Sequence, residues 1–233
     1  MAETNTTTNG SSKVILHHLN NSRSQRVLWL LEELEVPYEI KKYQRTSDML
    51  APKELKEVHP LGKSPIITDG DKSIAESGAI VEYLLSKYGG DKFKPTDVGV
   101  IDNLYFTHYC EGSLMPLLVN KLIFSVIPQR VPFFIRPIAS VIFNTAQKQL
   151  LDPQIKTHIT FIEEHLAKSS TGWFANGPNL TAADFMMIFP MEVIQERVPG
   201  PRNSTAISDF VKRVHERPAY KRALEKGGEY KIL

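Results

Sequence analysis

The fold of the first part of the chain is decided by the stretch from His59 to Ile80, which reads HPLGKSPIITDGDKSIAESGAI. Two short apolar runs, Pro65 to Thr68 and Lys72 to Ile74, flank the turn sequence Asp69-Gly70-Asp71. This pattern predicts a β-hairpin. A helix is predicted directly after it, from Glu76 to Tyr88, because apolar residues recur there at helical spacing. The stretch therefore predicts a β-β-α unit.

The chain before this unit alternates strand and helix signals. Lys13 to Leu19 predicts a short apolar strand, and apolar residues then recur at helical spacing as far as Leu34. Tyr38 to Tyr43 alternates as a second strand, and Pro52 to Val58 predicts a short helix. Residues 13 to 89 are therefore predicted to form an α/β domain of order β-α-β-α-β-β-α.

The rest of the chain carries helix signals and no convincing pair of strands. Residues 90 to 98 read as a linker and residues 99 to 233 as an all-helical domain. Thr181-Ala182-Ala183-Asp184 fits a capping box, with Leu180 and Phe185 at the flanking staple positions. The helices are predicted over Ile101 to Asn120, Pro137 to His165 (as one helix or as two that break before Pro153), Thr181 to Ile194 and Ile207 to Glu216.

The composition is that of an ordinary globular protein. The 233 residues are 42% hydrophobic and 23% charged, which excludes a wholly disordered, collagenous or coiled-coil chain. A net charge of +2 gives no reason to expect nucleic acid as a partner. The single cysteine, Cys110, cannot form an internal disulfide or a multi-thiolate metal site, so we expect a small buried side chain and no metal. Residues 1 to 12 read as a disordered tail without signal-peptide character.

The most apolar region runs from Leu117 to Phe143. Lys121, Arg130 and Arg136 interrupt it, together with three prolines. No uncharged apolar run reaches the length of about 18 residues that predicts a membrane-spanning helix. Two interpretations stay open: a buried core or subunit contact, or a surface that dips into a bilayer beside its cations.

Two motifs in the opening stretch could bind a ligand. Gly62-Lys63-Ser64-Pro65 leads straight into a strand, where an X-Pro bond can be cis and the backbone of Ser64 could pair with an extended peptide. A simple turn proline is the alternative. Glu76 and Ser77 stand at a helix N-terminus, which suits a carboxylate, while Glu76 could hold an ammonium group. The alternative there is an N-cap serine beside a glutamate that stabilises the helix dipole.

A third polar loop, Asn21 to Arg26, follows the first predicted strand. Ser22 and Gln25 match a capping box, so a purely local role is open. The functional alternative is a hydroxyl aimed at a ligand above the sheet. All three motifs belong to the same β-α-β-α-β-β-α unit.

Together these motifs resemble the glutathione transferase family. The similarity spans roughly residues 13 to 225 and is most evident for the fungal GTT-type, theta-like enzymes, through Asn20 to Glu33 and Glu111 to Leu114 with Pro116. The stretches that match the family at large are Ser22 to Arg26, His59 to Pro65, Ala75 to Ile80 and Gly177 to Phe185, which contains the capping box.

The resemblance implies a thioredoxin-like N-terminal domain, an all-helical C-terminal domain and a cytoplasmic homodimer. It also implies that glutathione, as co-substrate, lies over the first domain. Glu76 and Ser77 would hold its γ-glutamyl end. The backbone of Ser64, beside Pro65, would pair with the cysteinyl part, and Lys63 would meet the glycine carboxylate.

The resemblance further implies a thiolate mechanism. A free thiol has a pKa of about 8.5 and reacts as the thiolate. Lowering that pKa by ~2 units requires ~2.7 kcal/mol, roughly what one or two hydrogen bonds to a charged sulfur supply. Ser22 is the predicted catalytic donor, and Ser24, Asn21, the backbone or water are the alternatives. No tyrosine or cysteine stands early in this loop, which disfavours the tyrosine-type classes and glutaredoxin-like thiol exchange.

The predicted reaction is conjugation of glutathione to hydrophobic electrophiles in detoxification, with glutathione peroxidation as a side activity. The electrophile pocket is predicted between the domains, lined by Tyr105, His108, Tyr109 and Gly112. The alternative function is a non-catalytic, ligandin-like binding protein or a regulatory interaction protein on the same fold. The alternative location is the periphery of an intracellular membrane.

Overall fold

The computed structural model describes residues 13–198 and 205–232, and the predicted tail at residues 1 to 12 lies outside the described residues. The first unit has the predicted order of elements. It comprises β1 (Val14–Leu19), α1 (Ser24–Leu34), β2 (Tyr38–Tyr43), α2 (Leu55–Val58), β3 (Ile66–Asp69), β4 (Lys72–Ala75) and α3 (Ser77–Tyr88).

The four strands form one mixed sheet in the order β2-β1-β3-β4. β1 runs parallel to β2 and antiparallel to β3, and β3 and β4 form the predicted hairpin. Val14, Leu16 and Ile67 of the sheet are buried against α1 and α3. The thioredoxin-like prediction is confirmed.

The helical domain follows after a short 3₁₀ turn, Asp97–Gly99. A π-helical turn at Cys110–Leu114 joins the first two helices of this domain without a break. A second π-helical turn, at Gln147–Leu151, joins the third helix to the fourth in the same way. The helices of the domain are α4 (Val100–Tyr109), α5 (Met115–Arg130), α6 (Arg136–Ala146), α7 (Asp152–Lys168), α8 (Ala182–Arg197), α9 (Thr205–Glu216) and α10 (Pro218–Gly227). The all-helical prediction is confirmed.

One predicted helix boundary was wrong, and one open alternative is decided. The helix expected to end at Asn120 continues to Arg130, because apolar side chains still find partners there, such as Phe124 against the ring of Phe143 on α6. Of the two alternatives for Pro137 to His165, the structure has the continuous one, with no break before Pro153. The chain stays helical through a π turn, and Pro153 lies in the first turn of α7, where its missing N–H costs no hydrogen bond.

Helix α10 was not predicted, and it ties the end of the chain to α1. Glu32 and Glu33 on α1 are buried, and both accept hydrogen bonds from cations of the C-terminal segment. Arg222 pairs with Glu32 at 2.7 Å. Arg217 donates hydrogen bonds from Nε and Nη2 of its guanidinium group to the two carboxylate oxygens of Glu33. Burial opposes ionisation of Glu32, but hydrogen bonds from Lys226 and other donors lower its pKa overall.

The predicted capping box begins α8. The Thr181 N–H donates to the Asp184 carboxylate at 2.8 Å, and the Thr181 side chain accepts the N–H of Asp184. Asp184 also accepts the N–H of Phe174 at 2.9 Å. Burial raises the pKa of Asp184 to about 6, although these hydrogen bonds lower it. Leu180 and Phe185 are both buried, as expected for staple positions.

One continuous helix among the described residues, Asp97–Arg130, is long and apolar enough to cross a membrane by length and composition alone. Phe106, Leu114 and Leu118 of this helix are buried in the core of the protein. The helix is therefore anchored in the helical domain, and residues 115–130 of it border the cavity described below.

Candidate functional site

The three polar motifs of the first unit meet at one end of the sheet. Ile66 pairs with Ala75 across the hairpin, so Pro65 and Glu76 leave the sheet side by side. The N–H of Leu19, at the end of β1, donates to the Ser64 hydroxyl at 3.3 Å. The loop that carries Ser22 starts from this same residue, Leu19. The folding of the sheet therefore brings together residues separated by more than fifty positions in the sequence.

The Lys63-Ser64-Pro65 motif lies at the entry to β3. The Ser64–Pro65 peptide bond is cis, the form that the sequence allowed. The Ser64 hydroxyl donates to the carbonyl of His17 at 3.2 Å, and Ser64 lies just before β3, at the end of the sheet where β1 ends. Pro65 is buried beneath it, and Lys63 is exposed.

Glu76 holds an unusual backbone conformation at the start of α3. Its φ is +69°, in a region that residues other than glycine seldom occupy. Such a conformation costs of order 1–3 kcal/mol and concentrates at ligand-binding sites. The carboxylate of Glu76 is exposed, whereas Ser77 is buried at the helix N-terminus.

A cavity of about 780 Å³ opens between the first unit and the helical domain. The wall from the first unit includes Leu19, Met49, Leu50 and Ala51, but most of its residues are polar, and these come from three separate segments. The segments are the loop after β1 with Asn21 and Ser22, the segment after β2 with Arg45 and Asp48, and Lys63-Ser64. Of the predicted glutathione-binding residues, Lys63 and Ser64 line this cavity, whereas Pro65, Glu76 and Ser77 are not among its lining residues.

Ser22 lies at the cavity floor with its hydroxyl already hydrogen-bonded. The hydroxyl donates to the carbonyl of Leu19 at 2.8 Å and accepts the N–H of Ser24 at 3.2 Å. The Ser24 hydroxyl lies 3.1 Å from that of Ser22 and is fully buried, outside the lining of the cavity. Among the three side chains considered for thiol activation, Ser22 and Asn21 line the cavity and Ser24 does not.

Asn21 is occupied by a structural role. Its φ is +50°, and its side-chain oxygen accepts the N–H of Lys231 at 2.6 Å. Its carbonyl accepts a hydrogen bond from Arg45 at 3.2 Å, and Arg45 also donates to the carbonyl of Met49 at 3.0 Å. Arg45 thus joins two segments of the polar wall, a role that the sequence analysis missed. A lone arginine after a strand carries no motif that could have identified it.

The cavity is electropositive. Its lining holds five basic residues and one acidic residue, Asp48; the basic ones are Arg23, Arg45, Lys63, Arg130 and Arg197. Arg23 is paired with Glu111 at 2.9 Å. Positive charge around a cavity favours an anionic ligand and the ionised form of an acid bound there.

The opposite wall is an apolar stripe on α5. Its residues recur at helical spacing, so they share one face of the helix. Phe189 and Val193 of α8 continue this surface. The members of the stripe are Met115, Leu118, Val119, Leu122, Ile123, Val126 and Ile127.

The residues predicted to line the electrophile pocket lie elsewhere. Tyr105 stacks on Tyr109, and both contact the ring of Phe161 on α7. His108 is exposed, 3.8 Å from Glu82 of α3. Gly112 is exposed within the π turn, and none of these four predicted residues lines the cavity. Tyr105 and Tyr109 on α4 face α7, and His108 faces α3. The cavity is bordered instead by the next helix, α5.

Cys110 is buried and does not line the cavity. Its sulfur accepts a hydrogen bond from the fully buried Arg26 at 3.3 Å, and Arg26 also donates to the carbonyl of Met186 at 2.9 Å. Burial raises the pKa of the Cys110 thiol to about 11, against the opposing charge of Arg26. Cys110 is therefore a protonated packing residue, and a reactive sulfur in the cavity has to come from a ligand.

The first unit is a thioredoxin-like domain, and it is followed by a helical domain. The cavity has a mostly polar wall from the first and an apolar wall from the second. A family model described as Glutathione S-transferase, N-terminal domain, matches residues 12–86, and one described as Glutathione S-transferase, C-terminal domain, matches residues 134–227. The chain belongs to the glutathione S-transferase family.

Fungal relatives agree with this assignment. Glutathione S-transferase 3 of Schizosaccharomyces pombe is 38% identical over 216 residues, which cover 91% of this chain and 87% of the relative. Glutathione S-transferase 1 of Saccharomyces cerevisiae is 33% identical over 221 residues, covering 91% of this chain and 94% of the relative.

Solved structures share the fold. A glutathione S-transferase from Actinobacillus pleuropneumoniae superposes with a TM-score of 0.73 at 28% identity, over 92% of each chain. A glutathione transferase homologue from Lodderomyces elongisporus, solved with two GSH per subunit, has a TM-score of 0.73 at 16% identity. That match covers 92% of this chain and 99% of the homologue.

Proposed function

We propose that this protein is a glutathione transferase that conjugates glutathione to hydrophobic electrophiles, in a detoxification role. The observation that carries the proposal is one cavity with two unlike walls: polar residues from three segments of the first unit face the apolar stripe of α5. Glutathione is a polar tripeptide that needs hydrogen bonds and charge, whereas a hydrophobic electrophile needs apolar contact. The two walls match these two requirements.

The predicted peptide grip supports glutathione binding at the end of the sheet where β1 and β4 end and β3 begins, next to the polar wall. Glu76 and Ser77 hold the γ-glutamyl end, where the carboxylate pairs with the ammonium group and the helix N-terminus accepts the ligand carboxylate. The Ser64 backbone pairs with the cysteinyl part beside Pro65, in the manner of strand addition. Lys63 meets the glycine carboxylate.

Ser22 is the catalytic donor in this proposal. Its hydroxyl lines the cavity floor beside the Ser64 segment, and a hydrogen bond to sulfur stabilises the thiolate over the thiol. The basic residues around the cavity act in the same direction. The thiolate then attacks the electrophile, and the same thiolate supports glutathione-peroxidase chemistry.

The electrophile rests on the α5 stripe. The contacts of Tyr105 and Tyr109 with α7 make the originally predicted set the less favoured alternative. An apolar helix face without fixed polar groups accepts many shapes of apolar molecule, because such pockets discriminate weakly between similar ligands.

Conjugation and binding assays test the function. We expect calorimetric binding of glutathione together with turnover of a chlorodinitrobenzene. Lys63→Ala should weaken glutathione binding, while Lys53→Ala, an exposed lysine outside the cavity, should leave it unchanged. Binding without turnover on a panel of electrophiles would instead support the ligandin-like or regulatory alternative.

Homodimerisation is proposed through the outer face of α4. Ile101 and Leu104 are exposed there on one helical face, together with Tyr105. Asp97 and Asp102 border this face, so its charge suits a protein partner better than an anionic lipid surface. Light scattering after gel filtration should give the mass of two chains, and Ile101→Asp should reduce it to that of one.

The bilayer contact is proposed for a different patch, at the turn after α5 and on α6. Phe133 is 79% exposed and Phe134 67%, and Ile138, Val141 and Ile142 extend this apolar surface along α6. Arg130, Arg136 and Lys148, all exposed, surround it and complement anionic lipid headgroups.

This patch fits a cytoplasmic protein that touches an intracellular membrane reversibly. Vesicles containing phosphatidylserine should sediment the protein, whereas neutral vesicles should bind it more weakly. The double change Phe133→Ser and Phe134→Ser should abolish sedimentation without altering conjugation. Full solubility of the unaltered protein with both kinds of vesicle would leave it cytoplasmic.

A further inference from the structure

The cavity has a buried end and an exposed rim. Met115 and Leu118, at the start of the α5 stripe, are buried. Leu122 and Ile123, one turn further along the same stripe, are 37% and 44% exposed. Arg130, which ends α5 and also lines the cavity, is exposed. The cavity therefore opens toward the C-terminal end of α5.

Arg130 joins the two sides of this rim. Its Nη2 atom donates a hydrogen bond to the carbonyl of Asp48 at 2.9 Å, which links α5 to the segment after β2. Met49 and Leu50 follow Asp48 directly, line the cavity and are exposed. Exposed large apolar side chains are rare in the first unit, since among its described residues Leu61 is the one further case. The first unit thus contributes an apolar edge to the rim.

The apolar patch that begins at Phe133 and Phe134 adjoins the other side of the rim. Phe133 is three residues after Arg130, so the Cα atoms of the two residues lie at most about 11 Å apart. Helix α6, which carries the rest of the patch, packs against α5 through the rings of Phe143 and Phe124. Exposed apolar side chains from both domains therefore border the mouth of the cavity.

The charges around the mouth match a lipid surface. A contiguous exposed apolar surface marks an interaction site, and a ligand that arrives through water does not require one. Arg130, Arg136 and Lys148 are exposed around the patch, and basic residues of this kind are attracted to anionic lipids. Asp48 is the one acidic residue among those that line the cavity, so it opposes this attraction by a single charge.

We propose that the mouth of the cavity rests on a bilayer, and that the electrophile is an apolar molecule dissolved in that bilayer, which enters along the α5 stripe. This inference rests on the proposed function, because it names the substrate class and the route of entry for conjugation. Each methylene group makes the transfer of such a molecule from lipid to water about fourfold less favourable. An apolar route from the bilayer to the buried end of the cavity avoids this penalty.

The test compares two probes that share one reactive ring. The first is a chlorodinitrobenzene dissolved in water, and the second carries a long alkyl chain that keeps it in vesicles. With the alkyl probe, we expect vesicles containing phosphatidylserine to support an initial rate about tenfold above that with neutral vesicles, because the basic residues draw the protein to the surface. The double change Phe133→Ser and Phe134→Ser should abolish this rise, and the rate with the water-dissolved probe should stay within about twofold.

Val98→Ser is the matched control. Val98 is also an exposed apolar residue, but it lies at the opposite end of the continuous helix Asp97–Arg130. At a rise of about 1.5 Å per residue, roughly 48 Å of helix separate it from Arg130. Its replacement should leave the rates with both probes unchanged.

The orientation of the mouth is measured with fluorescent labels. Because Cys110 is buried, a thiol introduced by Leu50→Cys or by Val98→Cys is the accessible one for labelling. Lipids with brominated chains, mixed with phosphatidylserine, should quench the label on Leu50→Cys and spare that on Val98→Cys. Equal quenching of the two labels, or none at Leu50→Cys, would overturn the proposed orientation.

The outcomes separate this inference from the function on which it rests. If the water-dissolved probe is not conjugated, the proposed function is wrong, and the substrate class is wrong with it. If that probe is conjugated, but the alkyl probe reacts equally fast with the unaltered protein and the Phe133→Ser, Phe134→Ser variant, the route of entry is wrong. If light scattering shows that the double change halves the mass of the particle, the patch is a contact between subunits, which contradicts the bilayer.

Discussion

The two walls of the cavity are built by opposite means. The polar wall takes a few residues from each of three separate segments, and hydrogen bonds to the backbone, such as that of Ser22 with Leu19, fix their positions. The apolar wall comes mainly from one helix, α5, whose side chains contribute only shape and apolar area. The difference teaches that side-chain positions are fixed by hydrogen bonds where a charge has to be stabilised. Where only an apolar molecule has to fit, shape and apolar area are enough.

The largest expected effect comes from Ser22→Ala, which removes the donor from the polar wall. If Ser22 lowers the bound thiol pKa by ~2 units, kcat/KM near neutral pH should fall about 100-fold. The dissociation constant of glutathione should change by less than about threefold, because the peptide grip is intact. A pH profile of conjugation measures the effect. The loss should shrink as the pH approaches the pKa of the free thiol, about 8.5.

Ser86→Ala is the matched control for this experiment. Ser86 is exposed on α3 and does not line the cavity. Its removal should change neither rate nor affinity. A Ser22→Ala rate equal to that of the control at every pH would mean that the polar wall acts through backbone or water instead.

The next largest effect is on the stability of the first unit, which carries the polar wall. Asp69, at the end of β3, accepts hydrogen bonds from Tyr83, Lys87 and Tyr88 of α3, the helix that begins with the proposed peptide grip. Burial opposes its ionisation, but these bonds, that of Lys87 foremost, lower its pKa. Asp69→Asn should reduce the free energy of unfolding by about 2 kcal/mol, as expected for a buried charge-assisted hydrogen bond.

The same residue gives a pH dependence with a definite sign. Because the folded-state pKa of Asp69 lies below its ordinary value of 3.8, its stabilisation is complete above that value and is lost as the pH falls below it. Denaturant unfolding between pH 6 and pH 3 should therefore show a smaller loss of stability in Asp69→Asn than in the unaltered protein. Parallel curves for the two proteins would contradict the assignment.

Glu76 should produce a smaller effect, and one that separates affinity from stability. Glu76→Gln should weaken glutathione binding about tenfold, because the ammonium group loses a charged partner. Glu76→Gly should weaken it similarly, yet raise the free energy of unfolding by about 1 kcal/mol, because glycine adopts positive φ without strain. Calorimetric titration and denaturant unfolding measure the two quantities. Loss of stability in the glycine variant would show that the conformation is not strained.

The smallest effect is expected on the apolar wall. Val126→Ala removes two methyl groups from a half-buried position on α5. The KM for an apolar electrophile should rise about threefold, since only part of the apolar area is lost. The KM for glutathione should not change. Tyr109→Phe, whose hydroxyl contacts His158 instead of the cavity, is the control, and a larger effect there would restore the originally predicted pocket.

The same contrast explains what could be predicted from the sequence. The elements of the first unit and the capping box at Thr181 follow from local rules of periodicity, turn chemistry and capping. The loops with Ser22, Ser64 and Glu76 were identified for the same reason. Their meeting at one end of the sheet follows from strand order.

The parts that could not be predicted depend on contacts between distant segments. Arg45 joins two loops that no local pattern connects. Helical spacing showed that Tyr105 and Tyr109 lie on one face of a helix. Periodicity does not identify the element that packs against this face, which in the structure is α7. The apolar character of α5 is evident from the sequence, but without a motif it left a buried core or subunit contact and a bilayer surface as alternatives. Helix α10 is held by ion pairs to Glu32 and Glu33, which lie far away in sequence.

The π turn at Cys110–Leu114 has a consequence for how such a protein can diversify. A π turn holds one more residue than the corresponding α-helical turn, and it lies between the face that meets α7 and the face that borders the cavity. Deletion of one residue there would rotate α5 against α4 by roughly a quarter of a turn. New side chains would then face the substrate while Ser22 and Ser64 keep their places. A single insertion or deletion could thus change the range of substrates in one step, without any alteration of the thiol chemistry.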